Sequence, residues 1–145
     1  MPMQRQEQYI EFGVGEHHFA VKIDEVREII KMQPITHIPH SRPDVKGVFD
    51  LRGSVVPVIG LRALFGLDDE TDTKSTRIVV VACREQPVGL IVDRVTKVTT
   101  YADIQPPPET GRPGGRLLAG IGMREGRLAQ ILRLDEVVYP APAPH

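Results

Sequence analysis

Val45-Lys46-Gly47-Val48-Phe49-Asp50-Leu51-Arg52-Gly53-Ser54-Val55-Val56-Pro57-Val58-Ile59-Gly60-Leu61-Arg62-Ala63-Leu64-Phe65-Gly66 is the stretch that decides the fold. Two apolar runs flank Arg52-Gly53, and a glycine bend between such runs reads as a β-hairpin. Gly66 then closes a short helix over residues 61–65, because glycine takes the left-handed cap position without a Cβ penalty. Pro57 lacks an N–H, which predicts a sheet edge or a bulge at that point. Arg52 sits at the bend on a rigid scaffold, with no nucleophile, base or metal ligand beside it in the sequence. That setting suits a binding device better than a catalyst.

The same grammar occurs twice. A shift of 73 lays Gly47 on Gly120, Gly53 on Gly126, Val55 on Leu128, Ile59 on Leu132 and Leu61 on Leu134. A shift of 69 lays Phe19–Ile29 on Val88–Val98, with Asp24 on Asp93 and Val26 on Val95. Apolar and turn positions recur while charges mostly do not, the pattern of two copies of one small fold that keep only their core. The halves span approximately residues 8–67 and 77–138, with strands free to cross between them. Residues 139–145 are rich in Pro and Ala and read as a disordered tail.

The other elements follow from period-two alternation. Ile10, Phe12 and Val14 share a face, the chain turns at Gly15–His18, and Phe19, Val21 and Ile23 resume, which makes a first hairpin. Asp24 is placed to cap one helical turn. Residues 77–84 and 88–92 form a third hairpin, residues 120–132 a last one turning near Glu125-Gly126, and residues 134–138 a closing helix. Short strands at regular spacing, joined by glycine turns, indicate barrels or a sandwich, and two small barrels suit the repeat better.

At 145 residues the chain can bury a sizeable core, but each half is near the size limit for independent stability, so a shared core is expected. Lys and Arg number 18 against 19 Asp and Glu, which leaves no single-sign field to steer nucleic acid. Trp is absent and there are only four Phe and three Tyr, too few for a base-stacking surface. Residues 1–8 are polar and predict no signal segment, and no apolar run approaches the ~20 residues of a bilayer span, so no membrane insertion is expected. One cysteine, Cys83, lies in the apolar run Ile78-Val-Val-Val-Ala-Cys83. It reads as a small core hydrophobe, with a reactive thiol as the minority case. A reducing, cytoplasmic setting is the expectation.

Searches for chemistry return little. His37 and His40 are spaced H-x-x-H and His17-His18 are adjacent, yet three or four converging ligands are required and no metal or other cofactor is expected. Lys74-Ser75-Thr76 resembles the end of a phosphate loop, but the preceding glycines are missing. Asp24 and Asp93 read as a turn aspartate in each half rather than as a catalytic pair.

Two readings of Arg52 stand: a solvated turn residue, or a functional guanidinium held by Glu28, which strand pairing could bring near. Its repeat counterpart is Glu125, so the repeat itself does not demand arginine there. Val26, Ile29, Val95 and Val98 likewise read either as core or as the lining of a groove between the halves.

The words Phe19-Ala-Val-Lys-Ile-Asp-Glu-Val-Arg-Glu-Ile-Ile30, Val45-Lys-Gly-Val-Phe-Asp-Leu-Arg-Gly-Ser-Val-Val-Pro-Val-Ile59, Val88-Gly-Leu-Ile-Val-Asp-Arg-Val95 and Pro106-Pro-Pro108 resemble the CheW family across residues 8–138. The resemblance implies a mainly β fold of two intertwined SH3-like five-stranded barrels. It implies a non-enzymatic adaptor between the cytoplasmic tip of chemoreceptors and the regulatory domain of the histidine kinase CheA, recruited to receptor arrays. Carried over, it puts Arg52, Glu28, Gly47, Gly89, Val95 and Val98 on the receptor side, and Val26 and Thr110 on the kinase side. A same-fold adaptor wired to twitching motility, surface sensing or biofilm control is the alternative. Three features depart from the family: Gly60 where an aspartate is usual, the polar run Glu109-Thr110-Gly111-Arg112-Pro113-Gly114-Gly115 in the neighbourhood that the resemblance assigns to closing kinase–adaptor rings, where Thr110 is a poor apolar anchor, and the tail.

Overall fold

The computed structural model describes residues 7–39, 41–68, 72–107 and 116–140. His40, Thr110, the 109–115 run and residues 141–145 lie outside them. Among the described residues eleven strands run in chain order as β1 (Tyr9–Val14), β2 (His17–Lys22), β3 (Val26–Lys31), β4 (Val45–Leu51), β5 (Ser54–Gly60), β6 (Arg77–Cys83), β7 (Gln86–Val92), β8 (Arg94–Thr99), β9 (Asp103–Gln105), β10 (Leu118–Arg124) and β11 (Arg127–Leu132). Helix α1 (Leu61–Leu64) follows β5 and α2 (Leu134–Val138) follows β11. The strands form two sheets, ordered β8-β1-β2-β11-β10-β9 and β3-β6-β7-β5-β4.

Neither sheet belongs to one half of the chain. The first takes β1 and β2 from the N-terminal half and β8 to β11 from the C-terminal half; the second takes β6 and β7 from the C-terminal half and β3 to β5 from the N-terminal half. Under the repeat the two orders are the same. Phe12 faces Phe19, and 69 residues on, Val81 faces Val88. Glu11 faces Lys97 as Val80 faces Glu28, and each pairing carries its irregularity at the next step. Gly47 faces Val58 as Gly120 faces Ile131, again with matching irregularities. The three-residue β9 has its equivalent in a single bridge, Thr36 to Val48. The molecule is two SH3-like β-barrels that exchange strands, and the sixth strand of the first sheet is this lengthened bridge.

Burial explains the sequence patterns. Ile78 and Val80 fill the second barrel, whereas Val79, Val81 and Cys83 turn to a central cluster shared with Phe12, Val14, Phe19, Val21, Leu118 and Leu132. A strand covered on both faces needs an unbroken apolar run. β1 is buried along its whole length rather than on one face, and its polar Glu11 accepts a hydrogen bond from the Tyr101 hydroxyl at 3.2 Å. Each apolar side chain of the central cluster gains roughly 1.5–3 kcal/mol from leaving water. Because both halves supply that cluster, neither can keep its core alone.

Two local expectations need correction. β5 is internal to its sheet, between β7 and β4, despite Pro57. Both backbone groups of Val48, opposite Pro57, bond to Thr36 at 2.8 and 2.9 Å, so the missing N–H removes no bond to β4. The ladder to β7 begins only at Val58. Asp24 does not cap a helix: it lies inside a 3-10 turn, Ile23–Glu25, entered through Lys22 without a side-chain cap. Gly66, at φ 72°, ends α1 as expected.

Candidate functional site

Arg52 occupies the tip of the β4–β5 hairpin with φ 51°, followed by Gly53 at φ 87°. Asp50 Oδ1 accepts the Gly53 N–H at 2.9 Å and fixes the turn. A non-glycine residue in the left-handed region costs conformational energy, so this tip is held in a defined shape. From it the guanidinium reaches Glu28 on β3: Nη1 donates to Oε2 at 2.7 Å and Nη2 to Oε1 at 2.8 Å. The pair is a fork on a fork. The Arg52 hydrogen bond holds the Glu28 carboxyl below its usual range. The Arg52 side chain keeps 73% of its surface in solvent and Glu28 only 27%, so the carboxylate acts as a seat and the guanidinium is offered outward.

The other residues expected on the receptor side separate into two kinds. Val98 on β8 is 53% exposed, and Val95 is half-buried against the central cluster. Gly47 and Gly89 are buried. Gly47 has φ 143°, and a Cβ there would run into the Thr36 carbonyl. A Cβ on Gly89 would stand 2.7 Å from Ile78 Cγ2, inside the second barrel. Any effect of these glycines on a partner is therefore transmitted through the fold. Val26 is half-buried opposite Val81, and Ile29, on the same strand, is 38% exposed.

A cleft of about 660 Å³ opens where the two sheets meet, lined by Met32 and Ile35 after β3, Leu61, and Ile91, Asp93 and Arg94 around the start of β8. Sequence reasoning passed over its charged wall. Asp93, taken for a turn residue, accepts from Arg62 Nε at 3.0 Å, Arg62 Nη2 at 2.6 Å and the Gly15 N–H at 2.7 Å. Burial alone would raise its carboxyl, but Arg62, the Gly15 amide and Arg94 together hold it below the ordinary aspartate range. A signal existed in the failure of the Arg62–Asp93 pair to recur: their repeat counterparts are Asp135 and Asp24.

No group of three or more His, Cys, Asp or Glu able to hold a metal occurs among the described residues. Cys83 is 4% exposed and its thiol donates to Asp135 Oδ1 at 3.4 Å. Burial first, and Asp135 second, push it up to about 11.

The CheW-like domain family matches residues 8–140. The chain belongs to the CheW family. It is 40% identical over 133 residues to the chemotaxis protein CheW of Helicobacter pylori, across 90% of this chain and 81% of that protein. It is 37% identical over 131 residues to the chemotaxis protein CheW of Rhizobium meliloti, across 88% and 84%. The crystal structure of the scaffolding protein TtCheW from Thermoanaerobacter tengcongensis superposes with a TM-score of 0.86 at 29% identity, across 95% of this chain and 92% of that one. Membership makes the chain a chemotaxis scaffold or adaptor. No helix among the described residues is long and apolar enough to cross a membrane.

Proposed function

We propose that this CheW-family chain is a non-enzymatic, cytoplasmic adaptor that couples the cytoplasmic tips of chemoreceptors to the histidine kinase CheA within receptor arrays. The observation that carries the receptor half of this reading is the Arg52–Glu28 fork. The repeat counterparts of these residues are Glu125 and Lys97, and no hydrogen bond or ion pair between those two occurs among the described residues. The β10–β11 hairpin thus makes the same turn at Glu125 and Gly126, at φ 52° and 75°, without the pair. Folding does not need the fork, so a partner is the reason to keep a guanidinium rigid and exposed. A receptor tip is helical, and an apolar groove with charges at its rim sets the register of such a helix. Arg52 and Glu28 supply the charges, and Val95 and Val98 the apolar edge. Gly47 and Gly89 maintain the backbone beneath. Val26 and Thr110 belong to the kinase side, where the regulatory domain docks. One small contact gives modest affinity, so arrays gain strength by multiplying it.

The test is autophosphorylation of the kinase from the same organism, with receptor-bearing membranes, with and without this protein. A large rise that requires both receptor and adaptor establishes coupling. No rise with a competent kinase and receptor would put an adaptor of a non-flagellar chemosensory pathway first.

A further inference from the structure

The chain crosses between barrels twice on its way through the repeat: at Ile23–Glu25, from β2 to β3, and at Asp93, from β7 to β8. The repeat makes Asp24 and Asp93 equivalent, but the surroundings are not. At Asp93 the crossover grips the β1–β2 turn from both sides. Its N–H donates to the Gly13 carbonyl at 2.9 Å, and its Oδ2 accepts from Gly15 N–H at 2.7 Å. Arg94 Nη1 donates to the Gly15 carbonyl at 3.1 Å, and its guanidinium lies where a Cβ on Gly13 would stand. Arg62, at the start of α1, closes the cluster with two bonds to the Asp93 carboxylate, and the two side chains are 17% and 27% exposed. At the other crossover the residues equivalent to Gly15 and Arg62 are Arg84 and Asp135. They stand 3.6 Å apart with 62% and 64% of their side chains in solvent.

Partly sheltered, two-pronged pairs resist water and salt better than open ones. One crossover is therefore latched by a sheltered fork, while its looser twin has more exposed contacts: the Arg84–Asp135 pair, Arg27 Nη2 donating to the Glu85 carbonyl at 3.2 Å, and Arg84 over the Tyr139 ring. The latched one immediately precedes Val95 and Val98. We propose that Asp93 and Arg62 are positioning residues: their pair fixes β8 against the β1–β2 turn and holds the groove edge in the shape a receptor tip requires. This rests on the receptor reading given above. Its physical basis is preorganisation, since a β8 free to shift must be ordered by the partner at a cost in affinity.

The test uses full-length protein carrying Asp93→Asn, which keeps an acceptor for Gly15 and removes the charge. Amide hydrogen exchange of residues 94–99 is followed alongside affinity for a receptor cytoplasmic fragment. Exchange there should rise about tenfold and affinity fall about fivefold or more, with the β10–β11 hairpin unchanged in exchange. Asp135→Asn, at the loose crossover, should alter neither. Arg62→Lys, which keeps the charge but loses the fork, should fall between wild type and Asp93→Asn in both readouts, and it serves as the test should Asp93→Asn fail to fold. Wild-type exchange at residues 94–99, or raised exchange with unchanged affinity, overturns the proposal. Absence of binding by the wild-type protein overturns the receptor reading instead, and the exchange rates then decide the latch alone.

Discussion

Arg52 and Glu28 are 24 residues apart in sequence and close a two-pronged pair between a hairpin tip and a strand of the same barrel. Between them lies the irregular connection that carries Thr36, whose bridge to Val48 covers the outer side of β4. The pair joins the two ends of that excursion while leaving the guanidinium in solvent.

Arg52→Glu should leave the melting temperature within a degree or two of wild type, since the residue contributes no core. It places two carboxylates together and should weaken binding of a receptor fragment by about tenfold or more. Parallel thermal melts and binding titrations check this. An unfolded variant would make Arg52 structural.

Gly47→Ala should destabilise the fold by about 2–4 kcal/mol, because its backbone conformation and the Thr36 carbonyl both exclude a Cβ. Urea unfolding measures the loss. Gly53→Ala meets no neighbour within 4 Å and strains only the turn, so it should cost less.

Asp93 gives acid stability a definite sign. Its carboxyl titrates lower in the folded protein than in the unfolded chain, whose ordinary value is about 3.9. The unfolded state then binds the proton more readily, so this contribution is complete above the ordinary value and is lost as pH falls through the lower folded value. Asp93→Asn should therefore flatten the acid limb of stability against pH, as followed by thermal melts across that range.

Cys83 should be nearly inert to alkylation in the native state. With its thiol pushed up to about 11, only about one molecule in a thousand carries the thiolate at pH 8. Labelling by iodoacetamide should accelerate by two orders of magnitude or more in denaturant, as read by mass spectrometry. Equal rates with and without denaturant would contradict the burial seen here.

Val98→Asp should fold normally, because the residue is already 53% exposed. It should nonetheless depress receptor binding, since it sets a charge on the apolar edge that the proposed function assigns to the receptor contact. Unchanged binding would remove β8 from the contact surface.

Much of this was legible in the chain. The 69- and 73-residue shifts relate the hairpins of the two halves, because side-chain alternation and turn glycines are local requirements that each half must meet for itself; β9, whose equivalent is a single bridge, escaped them. The Arg52–Glu28 pair was open to inference for the same reason, from one bend and one paired strand. Pro57 misled, because its missing N–H is harmless only where the opposite residue bonds elsewhere, and Thr36 does that from outside the hairpin. Asp93 does stand at a bend, between β7 and β8, but its pair with Arg62 was not legible because Arg62 comes from another element.

By itself the sequence determined the four hairpins and the turns within them, that two equivalent units exist and that their cores must be shared, but not β8 or β9. These follow from periodicity and from conformational preferences within a few residues. Only the tertiary structure decided that each barrel takes two strands from one half and the rest from the other, that one crossover is latched by a sheltered fork and its twin is not, and that Gly47 and Gly89 lie beneath the surface. Those outcomes depend on contacts between residues far apart in the chain, and a repeat that is symmetric in its apolar positions carries no local mark of where its charges will meet.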